Sequence, residues 1–146
     1  MVKLMDICNL LKTSKHICIV GISDKPGRDS GRIALMLKNE GYHVSGVHPH
    51  LKEMAGIKIY PSLTDVPGDI DIVDVFMNSN RIPEIMEDVL AVKPKALWLQ
   101  LGIRNDEAVA PAVEAGIITI QDRCIAIEYR HCNSTQKVIQ TFGAIY

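Results

Sequence analysis

Short apolar runs alternate along the chain with stretches whose apolar positions recur every three or four residues. His16 to Ile22 (HICIVGI) is rich in β-branched residues and predicts a strand. From Ser30 to Glu40, Ile33, Met36 and Leu37 fall on one helical face, and Gly41 follows as a helix-terminating glycine. His43 to Val47 predicts a second strand, and Ile57 to Tyr60 a third, before a turn at Pro61.

The second half repeats the pattern. Ile70 to Phe76 (IDIVDVF) interleaves apolar residues with Asp71 and Asp74, which fall on opposite faces and so predict no general acid/base pair. Ile82, Ile85, Met86, Val89 and Leu90 form a helical stripe, with Asn80 as its expected cap and Pro83 tolerated in its first turn. Ala96 to Leu101 (ALWLQL) is almost unbroken, as a strand covered on both faces should be, and Trp98 is expected in the core. Ala108, Val109, Ala112 and Val113 predict a helix ending at Gly116. Pro111 would interrupt it, so a kink or a late start is expected. Ile117 to Gln121 is the last strand, and helical segments at Leu4 to Leu11 and Cys124 to Arg130 flank the series.

Strand and helix alternating in this way imply parallel strands joined by right-handed crossovers. The predicted fold class is α/β, a three-layer Rossmann-like sandwich with a mostly parallel sheet of five or six strands. No linker or repeat divides the chain, so residues 1–146 are expected to form one domain with its core at about 14–131.

Composition narrows the function classes. A length of 146 residues suits one domain, and 47% hydrophobic with 23% charged residues suits a globular one. A formal charge of -1 gives no general reason to expect nucleic-acid or membrane partners, so any anion site must be local. Met1 to Lys15 has no continuous apolar core and does not read as a signal peptide, and no apolar run is long enough to cross a bilayer. A cytoplasmic location is expected. Cys8, Cys18, Cys124 and Cys132 lack C-x-x-C pairing and are expected to be reduced thiols. His48-Pro49-His50 is the nearest approach to metal-ligand spacing, and no metal is expected.

In such sheets ligands collect at the carboxyl ends of the strands. The loop after the first strand is the most informative. Gly21 allows a tight turn, Gly27 relieves a second point, and the helix after Ser30 offers free N–H groups to an anion beside Lys25, Arg28 and Arg32. This is not G-x-G-x-x-G, because Ser23 holds the second glycine position, and the plain alternative is an ordinary charged βα turn. The second strand ends in His48, Pro49, His50 and Lys52, with no acidic residue to hold the ribose hydroxyls of NAD. That end suits a phosphate on the ribose, as in NADP or coenzyme A, or else carries solvated loop histidines.

The motifs together resemble the small coenzyme A-binding domain family, similar in turn to the nucleotide-binding domain of succinyl-CoA synthetase α subunits. The matching residues are Ile19-Val20-Gly21-Ile22-Ser23, Pro26-Gly27-Arg28 with Ser30, Gly41-Tyr42-His43-Val44, Val47-His48-Pro49 and Tyr60-Pro61-Ser62-Leu63. Asp71-Ile72-Val73-Asp74-Val75-Phe76, Trp98-Leu99-Gln100-Leu101-Gly102-Ile103 and Asp122-Arg123-Cys124 continue the match.

The resemblance implies that Gly21, Ser23, Arg28 and Ser30 cradle phosphates, with Val47 and Pro49 shaping the adenosine end. Phe76, Asn78 and Ser79 would flank the nucleotide, and Gln100, Gly102 and Ile103 would lie nearer the pantetheine arm. Where this chain has His48 the family commonly has asparagine, and near His50 often lysine. The ligase's histidine-bearing second domain has no counterpart here, so its activity is not implied.

No catalytic constellation is recognisable. Ser23 has no base partner in sequence. Cys124 could exchange with the coenzyme's thiol, or simply pack at the sheet edge. Glu128 and Arg130 read as a surface pair. The leading expectation is therefore a non-catalytic module binding coenzyme A or an acyl-CoA, as carrier, sensor or regulator. The alternatives are an NADP-binding oxidoreductase, or a subunit lending a coenzyme site to a separate ligase chain. A homo-oligomer is an open possibility.

Overall fold

The structure is a computed structural model that describes residues 3–142, with side chains described to residue 134. Its sheet runs through β1 (His16–Val20), β2 (His43–Val47), β3 (Glu53–Met54), β4 (Ile57–Tyr60), β5 (Ile72–Val75), β6 (Ala96–Leu99) and β7 (Ile118–Ile120). The strand order is β3-β4-β2-β1-β5-β6-β7, and every pairing is parallel except β3 with β4. The pattern predicted β4 but not β3, and the sheet has seven strands where five or six were expected. The β3–β4 hairpin closes around Ala55 and Gly56, both at positive φ, and buries only Ile57 fully.

Helices α1 (Leu4–Thr13), α2 (Asp29–Asn39), α3 (Pro83–Val92), α4 (Asp106–Glu114) and α5 (Ile125–Phe142) cover the sheet. Alternate strand residues point to opposite faces, so each strand feeds two cores. Ile17, Ile19, Ile72, Ala96, Trp98 and Ile120 pack under α1, α2 and α5. Cys18, Val20, Val73, Val75, Leu97 and Leu99 pack under α3 and α4. The three-layer α/β class is thus the observed one. Trp98 is fully buried, and its Nε1 donates to the Arg123 carbonyl at 2.8 Å, which ties β6 to the start of α5.

Several local expectations change. Pro111 lies inside α4, which starts at Asp106 and runs on through it. The prolyl nitrogen has no proton to give the Glu107 carbonyl, and Glu107 is exposed, so water can take that role. Asn80 does not cap α3. It sits in a 3₁₀ turn (Ser79–Arg81) opened by Asn78, whose side chain accepts from the Asn80 N–H at 3.4 Å, and Pro83 is the first residue of the helix. Glu128 pairs with Arg123 at 3.3 Å rather than with Arg130, because Arg123 lies one turn back across the start of α5.

Cys8 and Cys132 are joined in a disulfide that links α1 to α5 across 124 residues. The expectation of reduced thiols fails for this pair. Packing of α1 and α5 on the same sheet face brings their Cα atoms to 5.5 Å, within bridging range. Cys18 and Cys124 are free.

Two buried groups stand out. Asp74 is fully buried in β5 between Ile19 and Trp98, and neither carboxylate oxygen has a hydrogen-bond partner among the described residues. Burial pushes its pKa well above the carboxylate range. At the amino end of β1, His16 uses Nδ1 toward the Asp69 carbonyl (2.9 Å) and Nε2 toward Ser45 Oγ (2.7 Å), while its ring stacks on His43 at 4.1 Å. Burial is the main cause that lowers its pKa.

Candidate functional site

The order of the parallel strands reverses between β1 and β5. From β1 the chain leaves to α2 on one face, and from β5 to α3 on the other, which opens a crevice at their carboxyl ends. Val20 and Gly21 stay tied to their neighbours: the Phe76 N–H donates to the Val20 carbonyl at 2.8 Å, and the Gly21 N–H to the Val47 carbonyl at 3.0 Å. Gly21 has φ +83°, and a Cβ there would run into the Phe76 carbonyl. Only glycine meets both demands at this position.

The loop that follows is held by its own hydroxyls. The Ser23 N–H donates to Ser30 Oγ at 2.9 Å, and the Lys25 N–H to Ser23 Oγ at 3.1 Å. Gly31 lies so close behind that a Cβ would sit 2.7 Å from the Ser23 carbonyl. With Ser30 turned back toward the loop and Arg28 at the N-cap position, no side chain caps the first turn of α2. Arg28, Asp29 and Ser30 at the start of α2 line the crevice, which puts the positive end of the helix dipole there. Asp29 is paired with Arg32 at 3.0 Å, whereas Lys25 and Arg28 make no ion pair among the described residues.

At the end of β2, His48 Nδ1 accepts two backbone N–H groups, from His50 and Leu51, both at 3.0 Å. This acceptor role is one an asparagine side-chain oxygen can also fill, and it leaves the proton of a neutral ring on Nε2.

These elements surround a cavity of about 750 Å³ lined by Gly21, Ser23, Arg28, Ser30, Val47, His48, Pro49 and Phe76. A second cavity of about 620 Å³ shares Arg28 and Phe76 and extends the trench past Asn78, Gln100 and Ile103 to Cys124. His50, Ser79 and Gly102 line neither. His50 is exposed on the loop beyond His48. Ser79 accepts the Arg104 N–H at 3.1 Å on its hydroxyl and the Asn105 amide at 2.9 Å on its carbonyl. The Gly102 N–H donates to Asp122 at 2.6 Å. Gln100 is 4% exposed, and its Oε1 accepts the Ile125 N–H at 3.0 Å, so it satisfies the first turn of α5.

Pro61, Ser62, Leu63, Met77, Arg81 and Glu84 also line the larger cavity and were missed in the sequence. Arg81 is held by two contacts to Glu84, at 3.1 and 3.2 Å. Its position just ahead of a helix that opens at the carboxyl ends of the strands was the available signal. Among the described residues no three His, Cys, Asp or Glu side chains gather as metal ligands, and no helix is long and apolar enough to cross a membrane.

Known proteins match this arrangement. Residues 15–130 fit the family described as CoA binding domain. An uncharacterized Bacillus subtilis protein, YneT, is 36% identical over 124 residues, covering 85% of this chain and 92% of that protein. A hypothetical protein from Pyrococcus horikoshii superposes with a TM-score of 0.86 at 35% identity, over 90% of this chain and 92% of that one. An ADP-forming acetate–CoA ligase of Archaeoglobus fulgidus is 26% identical over 76 residues, which cover 51% of this chain but only 11% of the ligase. With its switch-point crevice, its glycine turn and a family match across most of its length, the chain belongs to the CoA-binding domain family and is homologous to the CoA-binding region of ADP-forming acetyl-CoA synthetases.

Proposed function

We propose that this chain binds coenzyme A, or an acyl-CoA, as a stand-alone module without its own reaction. The uncapped first turn of α2, set beside Lys25 and Arg28, which make no ion pair among the described residues, carries the reading. Such a turn stabilises phosphate through backbone N–H groups and the helix dipole, and two nearby cations add to it. The diphosphate would lie against Gly21, Ser23 and Arg28. The adenosine would lie toward Val47, His48 and Pro49, where the strand end carries no acidic residue and the His48 Nε2 proton can donate to a ribose phosphate. The pantetheine arm would follow the trench past Phe76 and Ile103 toward Cys124. Asn78 and Gln100 line that trench, whereas Ser79 would shape the site through the backbone it holds.

Titration calorimetry tests the reading. Coenzyme A should bind more tightly than dephospho-coenzyme A, NAD or NADP. Loss of the 3′-phosphate should weaken binding by about 1.5–3 kcal/mol, the worth of a hydrogen bond to a charged group. Arg28→Ala should bind more weakly and with a shallower salt dependence, because one screened charge contact is gone. NADP binding best would overturn the proposal. So would steady formation of acyl-CoA by the purified chain from ATP, coenzyme A and acetate.

A further inference from the structure

A separate cavity, of about 520 Å³, lies at the other end of the sheet, beside the amino ends of β1 and β2. The Cys8–Cys132 disulfide forms part of its wall. Lys12, Lys15 and His43 also line it, and neither lysine is in an ion pair among the described residues. Glu40 is its acidic group, and the Tyr129 hydroxyl donates to that carboxylate at 3.1 Å. Ser14, only 6% exposed, belongs to the same wall, and its hydroxyl oxygen has no hydrogen-bond partner among the described residues. A buried hydroxyl without a partner is costly unless something supplies one. A disulfide, a surplus of positive charge and an unsatisfied hydroxyl thus meet in one cleft.

We propose that this cleft is a thiol–disulfide exchange site for a small anionic thiol, independent of the coenzyme site proposed above. Cys8 is the more exposed residue of the pair, being half-buried where Cys132 is buried, and is taken as the sulfur attacked. The incoming thiolate attacks Cys8 Sγ, the Cys8–Cys132 bond breaks, and Cys132 leaves as a thiolate. A second thiolate attacks the incoming sulfur of that mixed disulfide, and Cys8 leaves in turn. The two protons given up by the attacking thiols end on Cys8 and Cys132. The protein disulfide is reduced, and the two small thiols are oxidised to their own disulfide. Lys12 and Lys15 raise the local concentration of the anion. Reduction unties α1 from α5, the helix whose first turns border the coenzyme trench.

The test is the rate at which Cys8–Cys132 opens under three thiols of different charge: glutathione (anionic), 2-mercaptoethanol (neutral) and cysteamine (cationic). Peptide mapping by mass spectrometry would follow that bond alone, and each rate constant would be corrected for thiolate fraction. Glutathione should lead 2-mercaptoethanol by about tenfold at low salt, and cysteamine should be slowest. The lead should vanish in about 1 M salt, where the screening length is ~3 Å. Lys12→Gln with Lys15→Gln should abolish it, whereas Lys93→Gln, on the opposite face of the sheet, should not. Both lysines of the pair are exposed, so folding should survive their loss. Equal corrected rates for the three thiols would overturn the site. So would a lead untouched by the double variant, or a chain whose Cys8 and Cys132 do not join on treatment with oxidised glutathione.

Discussion

Asp74 is the residue whose replacement tests the energetics of this fold most directly. It is fully buried on β5, flanked in register by Ile19 and Trp98, with both oxygens unpartnered among the described residues. A buried polar group left unsatisfied costs about 1–3 kcal/mol. Asp74→Val removes both oxygens at similar volume and should return that amount. At roughly 2–4 °C per kcal/mol for a chain of this size, the melting temperature should rise by about 2–12 °C.

The pH dependence has a definite sign. The folded pKa is raised, so the folded chain keeps a proton that the unfolded chain releases near pH 3.9. Stability from this group is full below that pH. It is lost as pH rises toward the folded value, at up to about 1.4 kcal/mol per pH unit. Asp74→Asn abolishes that slope but keeps the unsatisfied polar atoms, whereas Asp74→Val removes both penalties. Urea unfolding of the three proteins at pH 5 and pH 8 separates the contributions. The gain from either substitution should be larger at pH 8. If Asp74→Asn is no more stable at pH 8 than at pH 5 relative to wild type, the carboxylate has a partner and the reasoning fails.

His16 should act in the opposite direction. Burial lowers its folded pKa, so its contribution is full above about pH 6.5 and is lost as pH falls from there through the folded value. Thermal melts from pH 7.5 down to 5 should show that loss in wild type and a flatter curve in His16→Gln. Cys8→Ser should cost about 2–5 kcal/mol in non-reducing urea unfolding, because the bond closes a loop of more than a hundred residues, and dithiothreitol should bring wild type down by a similar amount. Gly31→Ala puts a Cβ 2.7 Å from the Ser23 carbonyl, so it should cost about 1–3 kcal/mol and weaken coenzyme A binding in calorimetry, since α2 must move off the loop.

The apolar periodicities already determined the class of this protein. Runs with period two and stripes with period 3.6 are local properties, so β2 and β4 match their expected bounds, and Gly41 ends α2 with φ +103°. The loops after β1 and β2 were legible for the same reason. A turn glycine, a helix start and the absence of an acidic residue can all be read within a dozen positions.

What each side chain does there was decided by residues far away in sequence. Gln100 meets the first turn of α5 across 25 positions, and Ser79 meets Arg104 across a similar gap, so two residues assigned to the ligand by resemblance also hold distant backbone. Asp74 alternates like any half-exposed strand residue, yet a helical layer closes over its face and leaves it without water. Cys8 and Cys132 carry no spacing signal, because their bond exists only once α1 and α5 lie on the same face of a finished sheet. Local pattern sets the elements, because each element's conformation and face depend on its own few turns. Partners, burial and disulfides follow from which elements share a face, and that is a property of the packed layers alone.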